Sequence, residues 1–162
     1  MAMLEDHPWD VVVLQDQSVT ACGAYLSYTR SGSDLPFHEW AAKQAAKPEH
    51  DEDDPRFWDG LDEAFWSGGS AITQRALKHD EATVYYFVPW ARHRDEWQPE
   101  RRGVLKRFSG QSAQEAVRAM SRANELAYAG LNEALPGRSG LILVNRAWDA
   151  HYAAHPDKRL HQ

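Results

Sequence analysis

Three short apolar runs, each ending in polar or aromatic residues, set the pattern of this chain. The first, Trp9-Asp10-Val11-Val12-Val13-Leu14, breaks abruptly into Gln15, Asp16, Gln17 and Ser18. A β-branched run bounded by polar residues predicts a strand buried on both faces, the kind found in parallel sheets whose C-terminal ends carry ligand chemistry. Gln15, Asp16, Gln17 and Ser18 are then expected at a functional rim, although polar residues also open plain surface loops. The second run, Glu81 to Trp90, predicts another buried strand, with Pro89 placed where pairing stops. Arg92 and His93 follow it at the same kind of rim. Gly140 to Asn145 predicts a third strand.

Between the strands the texture changes. Residues 19–54 show no clear period and end in the acidic run Glu49-His50-Asp51-Glu52-Asp53-Asp54, so an insertion or long loop is expected there. Asp54-Pro55 offers an N-cap followed by proline at the first helical position, and Phe57, Leu61 and Phe65 recur at helical spacing. Gly68-Gly69 interrupts that helix, and Ser70 caps a second piece through Leu77. From Ser112 to Leu135 the positions Ala116, Met120, Ala123, Ala127, Leu131 and Leu135 describe one helical face, stopped by Pro136-Gly137. Ala147 to Ala154 predicts a short closing helix. Alternating strands and helices imply right-handed crossovers and a parallel, three-layer α/β sheet.

Composition narrows the partners. At 162 residues and 18.4 kDa the chain suits one domain, and seven Trp, six Tyr and five Phe supply ample apolar area for its core. A net charge of -6 argues against a nucleic-acid backbone as partner. The basic cluster Arg92, His93, Arg94, Arg101, Arg102, Lys106 and Arg107 is interleaved with Asp95, Glu96 and Glu100, which reads as a salt-bridged surface. Cys22 is the only cysteine, so neither an internal disulfide nor a cysteine-based zinc site can form, and a buried, idle thiol is expected. The N-terminus has neither a basic region nor a long apolar stretch, nothing suggests a membrane span, and a cytoplasmic location is the default.

Three segments in this order resemble the SGNH (GDSL-like) hydrolases. They are Trp9 to Ser18, Tyr85-Tyr86-Phe87-Val88-Pro89-Trp90-Ala91-Arg92-His93, and Leu141 to Asp149 with His155 to Gln162. The resemblance implies a flavodoxin-like parallel sheet, and an activity on ester or acetyl groups of a small molecule or carbohydrate, with no cofactor. In that family a serine after the first strand attacks, a C-terminal Asp-x-x-His pair activates it, and glycine and amide donors hold the oxyanion. Aligning Leu14 to Ser18 with the family's Leu-Gly-x-Asn-Asp block puts Gln17 on the oxyanion amide, and a Gln NH2 can donate as Asn does. Gln15, Ser18, Trp90, Arg92, His93 and Trp148 are the candidate pocket rim.

The departures are as informative. No Gly-Asp-Ser follows an apolar strand ahead of the Gln17 block, and Ser31-Gly32-Ser33-Asp34-Leu35 comes after it, in the wrong order. Gly68-Gly69-Ser70 and Gly110-Gln111-Ser112 read as helix caps. Leu160-His161-Gln162 matches the Leu-Tyr-Gln that precedes Asp-x-x-His in relatives, so an incomplete, inactive internal segment of such a domain is expected. The strand at Val11 to Leu14 then becomes an edge, and residues 10–16 are expected to recruit a second copy or a strand-donating partner. His151, His155 and His161 suggest a metal site by spacing, but Pro156 ends the helix and a solvated helix end is the expectation, with no metal assigned. The acidic run at 49–54 lacks the order of a calcium loop. Trp90, Trp97 and Trp148 either line a pocket or cover the core edge. The alternative to a hydrolase-like domain is a non-catalytic α/β binding or assembly module. A nucleotide-binding reading is disfavoured, because no strand is followed by a Gly-rich phosphate loop.

Overall fold

The computed structural model describes residues 9–15, 18–45, 82–91, 108 and 111–155. Its elements run β1 (Val11–Leu14), α1 (Ser18–Ser31), α2 (Phe37–Ala45), β2 (Thr83–Phe87), α3 (Ala113–Asn132), β3 (Ser139–Ile142) and α4 (Val144–Ala154). The three strands form one sheet in the order β1-β2-β3, and both pairings are parallel. Val12 lies beside Val84, and Tyr86 beside Leu141. The parallel α/β class expected from strand-helix alternation is borne out, as is a core of the expected kind.

That core lies on one side of the sheet. Val12, Val84, Tyr86 and Val88 point into it and meet Ala21 and Ala24 of α1, Phe37, Trp40 and Ala41 of α2, and Ala127, Tyr128 and Leu131 of α3. Strand progression in one direction with crossovers of one hand puts connecting helices on one face, which is where α1, α2 and α3 pack. α4 packs on α3, and Tyr152 joins Cys22, Ala91, Phe108, Ala116, Val117 and Met120 in a second cluster. Cys22 is fully buried, as expected.

Two expectations are corrected. β1 is not buried on both faces: Val11 and Val13 are 51% and 55% exposed, and Tyr85 and Ile142 on the neighbouring strands are exposed with them. In a strand, alternate side chains point to opposite faces, and an all-Val run hides that alternation. The stretch expected to be loop is helical over most of its length: α1 and α2 cover residues 18–31 and 37–45, and 46–54 lie outside the described residues. α1 is rich in Ser, Thr, Ala and Tyr, and its buried face includes the small residues Ala21, Cys22 and Ala24 rather than the large aliphatics that make a period visible.

The longest helix matches its sequence signals. Ser112 is its N-cap, accepting from the Glu115 amide at 3.3 Å, while the Glu115 carboxylate accepts from the Ser112 amide at 2.8 Å, a reciprocal capping box. The Ser112 bond holds the Glu115 carboxyl below its ordinary pKa. Past its end Gly137 adopts φ 76°, the left-handed conformation that favours glycine. The helices expected over 55–77 lie outside the described residues. Among the described residues no helix is long and apolar enough to cross a membrane.

Candidate functional site

Parallel strands present their C-terminal ends, and the helices that follow them, along one edge of a sheet. In this chain that edge carries Gln15 directly after β1, Trp90 after β2, and the first turns of α4 after β3. The start of α4 is tied to the neighbouring strand by its backbone: Val88 N–H donates to the Ile142 carbonyl at 2.9 Å, and Asn145 N–H donates to the Val88 carbonyl at 3.3 Å. Trp148, one turn into α4, is thereby held beside the segment that follows β2. The Trp90 and Trp148 rings stack with centroids 4.9 Å apart and planes inclined by 20°. Both are half-buried, and Trp148 also meets the Tyr152 ring at 6.3 Å.

A polar network joins the helix that carries Trp148, α4, to α3. Ser121 and Asn145 are both buried. The Ser121 hydroxyl donates to Asp149 Oδ2 at 2.6 Å and accepts from Asn145 Nδ2 at 3.1 Å. The same Asn145 amide donates to Glu125 Oε2 at 3.2 Å, and Arg146 closes on Glu125 with two bonds, Nε to Oε2 at 3.2 Å and Nη2 to Oε1 at 2.8 Å. The Arg146 bonds hold the Glu125 carboxyl below its ordinary pKa, against burial, with Asn145 helping. Asp149 goes the other way: burial pushes its carboxyl up, and the Ser121 bond only partly offsets this. Asn124, in the middle of the buried face of α3, has neither amide atom hydrogen-bonded among the described residues.

Chemically this network holds a helix in place. A nucleophilic serine is activated by a base that takes its proton and passes it on, whereas the Ser121 hydroxyl donates to a carboxylate and has no imidazole partner among the described residues. Ser31 and Ser33, in the lexical look-alike of the nucleophile motif, lie at the end of α1 and just past it, where their hydroxyls hold the backbone: Ser33 Oγ accepts from the Leu35 amide at 3.2 Å, and Ser31 Oγ from the Ser33 amide at 3.3 Å.

Of the rim residues named from sequence, the structure brings Trp90 and Trp148 together and places Gln15, exposed, on the same edge. Ser18 is the first residue of α1, and nothing is described of its side chain. The oxyanion candidate Gln17, and Arg92, His93 and Trp97, lie outside the described residues. Sequence reasoning missed Ser121, Glu125, Asn145 and Asp149. A signal was present, since Ser121 and Glu125, and Asn145 and Asp149, are spaced four apart on two helices. No family model, curated protein or solved structure matches this chain.

Proposed function

We propose that this chain is an SGNH-hydrolase-like α/β domain whose C-terminal sheet edge binds a small-molecule or carbohydrate ester without turning it over by itself. The observation that carries the reading is the convergence of the three resembling segments: their strands pair in sequential order, all parallel, and deliver Gln15, Trp90 and Trp148 to one edge. A run of three sequential parallel strands is what strands three to five form in a flavodoxin-like order. Stacked aromatic rings beside a few polar groups are a common lining for ligand pockets. The engagement of Ser121 with Asp149 supports binding over turnover.

The test is a titration of the purified chain with acetylated sugars and simple acyl esters, followed by tryptophan fluorescence, beside an esterase assay. Saturable binding is expected, weakened about tenfold or more by Trp148→Ala. Hydrolysis by the chain is expected to be no faster than by its Gln17→Ala variant. Saturable turnover abolished by Ser18→Ala or Ser33→Ala overturns the non-catalytic part, and absence of binding overturns the rest.

A second reading, an assembly module, is favoured by one observation. β1 pairs with β2 alone among the described strands and exposes Val11 and Val13, so Val11–Leu14 is where a second copy or a strand-donating partner would add its strand.

A further inference from the structure

The last turns of α4 carry two histidines at a spacing of four, which puts His151 and His155 on one side of the helix. Their ring centroids are 5.1 Å apart. Two imidazoles bound to one tetrahedral zinc, each through a bond of about 2.0–2.1 Å, have ring centres about 5 Å apart. The pair is thus already at the separation that chelation of a single ion requires.

Two further observations point to a ligand. Nε2 of His151 is shielded from solvent and has no hydrogen-bond partner among the described residues, an unfavourable condition that coordination of the lone pair would remove. His155 stands at the C-cap, where its amide N–H donates to the His151 carbonyl at 2.8 Å. The C-terminal end of a helix carries partial negative charge, which favours a cation there. The solvated helix end expected from sequence describes His155, which is exposed, and not His151, which is half-buried with its ring against Tyr152.

We propose that His151 and His155 form a two-imidazole site for a divalent transition-metal ion, which enters past the exposed His155 side chain. Neutral imidazole suits Zn²⁺, Ni²⁺ and Cu²⁺. Among the described residues no group of three or more His, Cys, Asp or Glu side chains is arranged to hold a metal, so the described residues supply two ligands. Trp148 precedes His151 by three residues on the same helix and stacks on Trp90, which gives the site an optical reporter.

The experiment titrates the full chain with NiCl₂ and with ZnCl₂, read by calorimetry and by tryptophan fluorescence. The expected result is saturable binding that changes the fluorescence, with Ni²⁺ tighter than or equal to Zn²⁺ in affinity. His155→Ala, at an exposed position, should weaken binding about tenfold or more without changing the circular dichroism spectrum. His151→Ala should do the same, because chelation needs both rings, and the double variant should bind at least as weakly as either single one. His38→Ala, on α2, should bind as the wild type does. Wild-type affinity in His155→Ala, an equal loss in His38→Ala, or no saturable binding overturns the proposal. His155→Ala carries the test even where His151→Ala proves unfolded.

Discussion

Replacing Gly130 by alanine sets two effects of known sign against each other. In a helix interior the exchange favours folding by about 1 kcal/mol, because glycine has more backbone freedom to lose. Against it stands the packing of α3 on α2: a Cβ at position 130 would lie 2.8 Å from Phe37 Cβ, 2.8 Å from its Cδ1 and 3.1 Å from its Cγ. Phe37 Cβ is bonded to the backbone, so no change of rotamer moves it. Its ring is confined by Tyr25, Tyr28 and Trp40 at centroid distances of 5.7, 5.4 and 6.4 Å. α2 must therefore shift bodily, and overpacking of this kind costs about 1–3 kcal/mol. The steric effect wins, and Gly130→Ala is expected to destabilise by about 1 kcal/mol net, seen as a lower urea midpoint at unchanged slope. In a Phe37→Ala background two of the three close contacts are gone and α2 is freer to move. There the same exchange should be neutral or stabilising, with a coupling of at least about 0.5 kcal/mol. A raised midpoint for the single variant, or equal losses in both backgrounds, would show that α2 does not seat on α3 at this glycine.

Asp149 and Glu125 give the network opposite responses to acid. The raised Asp149 pKa means that its contribution is fully present at low pH and is lost as pH rises through the folded value, whereas the lowered Glu125 pKa means that its contribution is present above the ordinary range and is lost as pH falls through the folded value. Asp149→Asn keeps an acceptor for Ser121 and removes the buried charge, so its stability relative to wild type should improve on going from about pH 3 to about pH 7. Urea unfolding across that range checks it, and a flat or falling difference contradicts the assignment. For the assembly reading, wild-type protein should self-associate in sedimentation at high concentration and Val13→Lys, a change at an exposed edge position, should not. A monomeric wild type, or a variant that associates equally, removes that reading.

What could be read from the sequence depended on contrast between neighbouring positions. Along α3 the large and small apolar residues Met120, Ala127 and Leu131 alternate with Arg118, Arg122 and Glu133, and a capping box and Pro136-Gly137 mark its limits, so helix and boundaries were legible within a few residues. α1 offers no such contrast. Its buried Ala21, Cys22 and Ala24 differ little in polarity from its exposed Thr29 and Ser31, and the helix owes its place to close approach against α3. The strands were legible as β-rich runs, but Val11, Val12 and Val13 are one residue type on two unlike faces.

The same limit governs the edge that carries the candidate site. Trp90 and Trp148 stand out in any sequence, and placing both after strands was enough to predict that they share a rim. The polar contacts between α4 and α3 join residues 20 to 28 positions apart, each ordinary in its own helix. Asn145 shows why they matter to the rim. Its backbone N–H fixes the first turn of α4 to the end of β2, and its side chain reaches Ser121 and Glu125 on α3. One residue thus sets the position of α4 against two other elements. The Trp90–Trp148 stack depends on that position, since Trp148 lies a single turn further along. A site whose visible residues are aromatic is in this way held by a polar frame that is recognisable only once the two helices are side by side.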